Sequence, residues 1–273
     1  MPPPSTKPIP HSLPLTLIVA TTPIRVASAH GDDKTRLGIG LNGTLPWPRI
    51  KTDMSFFARV TSRPPKTGTT NAIIMGRKTY DSVPKSLRPL GKRISVVISR
   101  DTTGSVREGV LRELEAKKAK MAAKAAESAS ASQGKEKEKD NDRVHVQEPD
   151  TDAIVVSSLD AALNELEGME GLGKIFVIGG AEIYGAALRV GEEGLKGRPV
   201  RVVMTNVVRK SEGGEEVPFE CDTFWPLDSM DRVSGWRSAG AEELSEWVGE
   251  EVTGEWTREG ECEVQMVGFE RLE

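Results

Sequence analysis

Ala72-Ile73-Ile74-Met75-Gly76-Arg77-Lys78-Thr79-Tyr80 is the stretch on which the reading of the fold turns. Its four apolar residues make a short run of the kind found in strands buried on both faces. A glycine ends the run, and two cationic side chains and a hydroxyl follow at once, as in a strand-to-helix turn. Orphan amides beside arginine, lysine and threonine suit an anion; a solvated turn is the plainer alternative. The pattern recurs in Ile175-Phe176-Val177-Ile178-Gly179-Gly180-Ala181-Glu182-Ile183-Tyr184, where the glycine pair taken alone is ordinary turn chemistry. Neither turn matches the GxGxxG or Walker pattern, which disfavours an ordinary Rossmann or P-loop enzyme.

Further strands flank these two. Residues 15–20 form a β-branched run, residues 94–98 another, ending in Ser99-Arg100, and residues 153–156 and 202–208 two more. Helices are expected over residues 53–60, ended before Pro64-Pro65, and from Leu159 to about Leu166. Residues 262–267 alternate in polarity, as closing antiparallel strands do. The expected fold is α/β: a mostly parallel sheet flanked by helices, with an antiparallel C-terminal edge. Ligands of such sheets sit beyond the carboxyl ends of the strands.

Residues 1–12 are Pro-rich and read as a disordered lead-in, and residues 13–273 as a single domain. A low-complexity insertion at about 104–150 interrupts that domain. Within it, Lys, Ala, Glu and Ser crowd out apolar side chains, so a solvated helix or disorder is expected, in a passive surface connection. Residues 37–43 follow a polar segment, His30-Gly31-Asp32-Asp33-Lys34. Gly38, Gly40 and Gly43 give residues 38–45 the backbone freedom of a mobile, ligand-covering loop.

The formal charge of -4 offers no global attraction to nucleic acid or an anionic membrane. Residues 13–24 are apolar but too short to span a bilayer. Cys221 and Cys262 have no metal-ligand spacing and read as structural thiols in a reducing, cytoplasmic setting. Ser99-Arg100 is either a surface pair or a second phosphate site. Asp53 opens a helix, where a carboxylate commonly caps. The apolar company of Leu45, Trp47, Met54 and Phe57 gives a second reading: a poorly hydrated pocket that raises the pKa of an acid able to grip a guanidine-like edge.

Taken together, Ile18-Val19-Ala20, Gly38-Ile39-Gly40 through Asn42-Gly43-Thr44-Leu45-Pro46-Trp47, Asp53 with Phe57, Ile74 through Tyr80, Arg88-Pro89-Leu90 before Arg93, Ser99-Arg100, Ile178-Gly179-Gly180 with Ile183-Tyr184, and Thr205 resemble dihydrofolate reductase in order and spacing. The resemblance runs from about residue 15 to 226, outside the insertion. It implies an eight-stranded sheet and a cleft holding NADPH beside a pteridine, in a monomer that binds dihydrofolate and antifolates such as methotrexate.

By matching position, Asp53 would bind the pterin 2-amino group and ring nitrogen, supported by Thr205, and favour protonation at N5. Leu45, Trp47, Met54, Phe57 and Val83 would line the substrate slot, with Ile18, Val19, Ala20 and Ile178 as its floor. Arg93 would take the α-carboxylate of the glutamyl tail, which lysine would not reproduce. Ala20, Ile39, Gly43, Gly76, Arg77, Lys78, Thr79, Ser99, Arg100, Gly179, Gly180, Ala181, Glu182, Ile183 and Tyr184 would contact the cofactor, with a cis turn at the glycine pair. Tyr80 stands where the family usually has tryptophan, a change expected to alter packing rather than chemistry. A reductase of the same fold acting on a pyrimidine phosphosugar, and a silent folate or NADPH binder, are the competing readings.

Overall fold

The computed structural model describes residues 13–26, 34–132, 148–189 and 198–272. The expected lead-in, most of the His30-to-Lys34 segment and residues 133–147 of the insertion lie outside them. In chain order the elements are β1 (Leu15–Val26), β2 (Lys34–Gly40), α1 (Lys51–Ser62), β3 (Thr70–Gly76), α2 (Arg77–Ser82), β4 (Ile94–Ile98), α3 (Ser105–Ser132), β5 (Asp152–Val156), α4 (Leu159–Glu167), β6 (Leu172–Val177) and α5 (Ala181–Arg189). Then follow β7 (Val200–Lys210), β8 (Glu216–Val217), β9 (Thr223–Phe224), β10 (Trp236–Ala239), α6 (Ala241–Val248), β11 (Thr257–Glu259) and β12 (Cys262–Arg271).

Eight strands form the main path in the order β10-β12-β7-β1-β6-β3-β4-β5. Five neighbouring pairs, from β7-β1 to β4-β5, are parallel. The β12 pairings with β7 and β10 are antiparallel. The expected mostly parallel, eight-stranded sheet with an antiparallel C-terminal edge is therefore what the chain forms. The apolar runs are the central strands because both faces of the sheet are covered: every residue of β4, and all of β3 up to its last, is buried.

Strand alternation divides the core. Leu15, Leu17 and Val19 of β1 pack on one face with α4 and α5 residues such as Leu163 and Leu188. Ile18 packs on the other with Phe56, Val60, Phe176 and Val203. The Val19 side chain therefore lies in the core on the face opposite Ile18, leaving only its backbone to the face that carries Ile18.

Three departures follow from packing that a local reading does not contain. First, β1 extends to Val26, because its second half pairs with β2 rather than with the parallel sheet. Second, Gly38 and Gly40 lie within or at the end of β2, not in an irregular loop. A Cβ on Gly38 would stand 2.3 Å from the Cys221 Sγ, so close approach calls for the glycine there, and backbone freedom is used only in the turn at Asn42 and Gly43, where φ is 51° and 76°. Third, the insertion does not begin as a passive connection at residue 104. Asp101 receives hydrogen bonds from the Val106 amide and the Thr103 and Ser105 hydroxyls at the start of α3, and Val110 and Leu114 are buried in the core beside Phe56 and Tyr80. In the C-terminal region, α6 buries Leu244, Trp247 and Val248.

Candidate active site

The carboxyl ends of the parallel strands gather segments distant in sequence. Gly76 pairs with Ile98, so Arg77 and Ser99 leave neighbouring strands side by side. The Gly76 amide donates to the Gly179 carbonyl at 2.8 Å, and the Ile178 amide to the Ile74 carbonyl at 2.9 Å, which joins the two glycine turns. Gly179–Gly180 is a cis peptide. A Cβ on Gly180 would sit 3.4 Å from the Thr79 Oγ1, and one on Gly76 would press the Ile183 side chain at 3.2 Å. The turns thus form a shallow backbone-lined cradle with Thr79 at its wall.

Arg77 and Lys78 are exposed at the start of α2, and Arg100 is exposed at the end of β4, 3.4 Å from Glu182. This set of amides, hydroxyls and exposed cations fits a phosphate-rich cofactor. Tyr184 belongs to the support beneath the cradle: its ring lies 5.0 Å from that of Trp225, and its hydroxyl donates to the Ile18 carbonyl at 2.7 Å. Ile39 is half-buried on β2 against the same core, and Gly43 lies on the exposed turn.

Asp53 lies in the first turn of α1 and is buried. Desolvation raises its pKa, opposed by a hydrogen bond from Thr205, which stands opposite Ala20 on the neighbouring strand. Asp53 does not cap α1. That task falls to Glu259, whose carboxylate accepts from the Lys51 amide at 2.6 Å and the Thr52 amide at 2.9 Å. The Thr52 hydroxyl adds a third bond at 2.7 Å. An acid delivered by β11 satisfies the orphan amides, leaving Asp53 turned toward the strand ends.

Eight residues along the same helix stands Thr61, whose hydroxyl lies 2.6 Å from the Arg93 Nη1. Arg93 Nε donates to the Gly91 carbonyl at 2.9 Å. Burial pushes the guanidinium pKa down to about 10, so it stays charged at neutral pH. Asp53, Phe57 and Thr61 follow i, i+4, i+8 spacing and share one helix face. With a rise of about 1.5 Å per residue, the two ends of this face are ~12 Å apart. Neither Asp53 nor Arg93 has an ion-pair partner among the described residues. A carboxyl group and a guanidinium, both buried and each held by a threonine, thus stand at the two ends of one helix face.

Met54 and Leu45 are partly exposed at its rim, Phe57 and Val83 are half-buried, and Ile18, Ala20 and Ile178 lie on the sheet face beneath. The Trp47 ring packs edge-on to Phe219 at 6.0 Å, in a cluster with Ile50, Cys262 and Val264. Its indole Nε1 is buried and has no hydrogen-bond partner among the described residues.

At the turn after β2, the Asn42 amide donates to Asp222 Oδ2 at 2.8 Å, and the Asp222 amide donates to the Gly40 carbonyl at 3.0 Å. This two-bond latch and the Glu259 cap had no local signal, since their partners lie 180 and about 208 residues away. Thr61 was readable, by its spacing from Asp53 and Phe57.

Comparison with known proteins agrees with this geometry. A family model described as dihydrofolate reductase matches residues 28–136. The dihydrofolate reductase of Pneumocystis carinii is 30% identical over 249 residues, 87% of either chain. That of Candida albicans is 28% identical over 84% of this chain and 88% of its own. That of Heliothis virescens is 30% identical over 70% and 73%. The chain belongs to the dihydrofolate reductase family of NADPH-dependent oxidoreductases.

Proposed function

We propose that this chain reduces 7,8-dihydrofolate to 5,6,7,8-tetrahydrofolate, supporting one-carbon metabolism. The observation that carries the reading is the face of α1, with the buried acid Asp53 in its first turn and, beside Thr61 ~12 Å along the helix axis, the buried Arg93 guanidinium. Dihydrofolate is bipolar in the matching sense: a guanidine-like pterin edge at one end and a glutamyl carboxylate at the other. A buried charge lacking a counter-ion is costly, and a ligand of opposite sign at each end relieves that cost.

Asp53 accepts hydrogen bonds from the pterin 2-amino group and a ring nitrogen, and Thr205 fixes the carboxyl orientation. Desolvation keeps the Asp53 pKa above that of a free carboxyl, so the site holds a proton more readily and favours protonation at N5. Ile18, Ala20 and Ile178 support one pterin face, and Phe57, Met54, Leu45 and Val83 enclose the ring and linker. Trp47 Nε1 donates to water or substrate at the pterin end. Arg93 binds the tail α-carboxylate with the N–H groups left free by Thr61 and Gly91. The Asn42–Asp222 latch holds the covering turn in place and limits entry of water.

NADPH, when bound, supplies the hydride. Gly76, Thr79, Gly179, Gly180 and Ala181 would hold its central phosphates through the cradle. Ser99 and Arg100 would take the 2′-phosphate, with Arg77 and Lys78 as mobile cations at the rim. Loss of NADPH absorbance on adding dihydrofolate, compared with Asp53→Asn and with methotrexate present, tests the reading. Methotrexate-sensitive turnover that largely disappears in the variant is expected; tight binding of both ligands without turnover would make the chain a binding protein instead.

A further inference from the structure

Both ends of the insertion grip the loop that presents Arg93. From α3, the Lys117 ammonium donates to the Leu87 carbonyl at 2.8 Å and the Pro89 carbonyl at 2.7 Å. Glu113, one turn earlier, accepts from the buried Tyr80 hydroxyl at 2.7 Å. It also lies 3.8 Å from Arg88, whose guanidinium stands over the Tyr80 ring. At the far end of the insertion, Thr151 Oγ1 accepts from the Lys92 amide at 2.8 Å. Residues 87–92 are therefore tied at both ends to a segment that composition alone marks as dispensable. Gly91, whose carbonyl orients Arg93, lies between those ties, and a Cβ there would meet Lys117 Cε at 3.7 Å and Thr151 Oγ1 at 3.8 Å.

We infer that Lys117 is a specificity-determining positioning residue: it fixes residues 87–91 so that Arg93 meets the substrate carboxylate, and the insertion helix thereby selects glutamylated pterins over pterins without the tail. Lys117 does not touch the pterin. Its contribution lies in the loop geometry and in a second positive charge beside Arg93, which lowers the Lys117 pKa in turn, after desolvation. Both effects act only on a substrate that carries an anionic tail. Lys117 and Glu113, one turn apart on α3, thus both serve this loop, and the Tyr80 hydroxyl anchors the same helix by donating to the Glu113 carboxylate.

The inference rests on the tail-clamp reading of Arg93, and the experiment separates the two. Steady-state kinetics are measured on the full chain with 7,8-dihydrofolate and with 6-methyl-7,8-dihydropterin, which lacks the tail, for the parent, Lys117→Met, Thr151→Val and Arg93→Met. Lys117→Met is expected to raise KM for dihydrofolate about fivefold with kcat within about twofold, and to leave both constants for the tailless pterin unchanged. Thr151→Val, which loosens the loop from its other end, is expected to show the same selectivity at smaller size. Equal losses on both substrates, or no change on either, in both loop variants would overturn the inference while leaving Arg93 in place. If Arg93→Met itself affects the two substrates alike, the clamp reading fails, and the Lys117 inference falls with it.

Discussion

The first and last turns of α1 present opposite solutions to one problem. At the first turn an anion, Asp53, is buried beside the Thr205 hydroxyl; at the last, a cation, Arg93, is buried beside Thr61. Each is held by neutral groups and has no ion-pair partner among the described residues, and the difference lies in what secures each end. The Asp53 end is a helix turn capped by Glu259 from the antiparallel edge. The Arg93 end is a loop, fixed by the backbone carbonyl of Gly91 and by the insertion. On the proposed reading, one end serves proton chemistry on a helix turn and the other serves binding on a loop.

This contrast predicts different kinetic losses. Asp53→Asn keeps the shape but removes the ionisable group, and kcat/KM is expected to fall about 10²–10⁴-fold, mostly in kcat, on substrates with or without a tail. Arg93→Met is expected to raise KM for dihydrofolate by about 10²-fold with little change in kcat, as measured by initial rates over a range of substrate. A loss of kcat in that variant would erase the distinction between the ends. For the covering turn, Asp222→Ala removes the acceptor of the Asn42 amide, and a smaller slowing, about three- to tenfold in kcat, is expected from stopped-flow and steady-state rates. Glu259→Gln keeps the shape but loses the charge and turns one of the two acceptor oxygens into a donor. Because backbone hydrogen bonds hold the Glu259 pKa below its usual value, its stabilisation is present above pH 4.5 and is lost as pH falls through the lowered pKa. Thermal melts should show the variant below the parent at pH 7 and the gap closing in acid.

The parallel half of the molecule was legible in the sequence because each strand carries a short, mostly apolar, β-branched run. β4 coincides with residues 94–98, and β3 and β6 lead into the two turns as expected. Asp53, Arg93 and the glycine pair were legible by their place in an ordered set of motifs. What remained hidden depends on contacts between segments far apart in sequence. Nothing near Glu259 or Asp222 marks either as a partner of α1 or of the covering turn. The Ala/Lys/Glu composition of α3 conceals Val110 and Leu114, two apolar residues on one face that suffice to seat the helix on the sheet. Gly38 resembled a flexible residue and proved to be a close-packed one, because the Cys221 thiol that fills the space arrives from 183 residues later.

Burial of Asp53 also carries a stability consequence with a definite sign. Its folded pKa is raised by desolvation, so the carboxyl favours folding fully below pH 3.8, and that contribution is lost as pH rises through the folded pKa. Asp53→Asn should therefore melt above the parent at pH 7, with the advantage shrinking toward pH 3.5. A function-bearing acid that destabilises its own fold is the expected trade-off. Equal melting temperatures at both pH values would mean that the site solvates the carboxylate better than its burial indicates.

The most direct test of the two-ended slot is a crystal structure of the chain with NADPH and methotrexate. The account predicts the 2-amino group and a ring nitrogen within hydrogen-bond distance of the Asp53 carboxylate and the glutamyl α-carboxylate on the Arg93 guanidinium, with the ligand lying along the face of Asp53, Phe57 and Thr61. A ligand bound away from α1, or one whose carboxylate leaves Arg93 uncontacted, would contradict it.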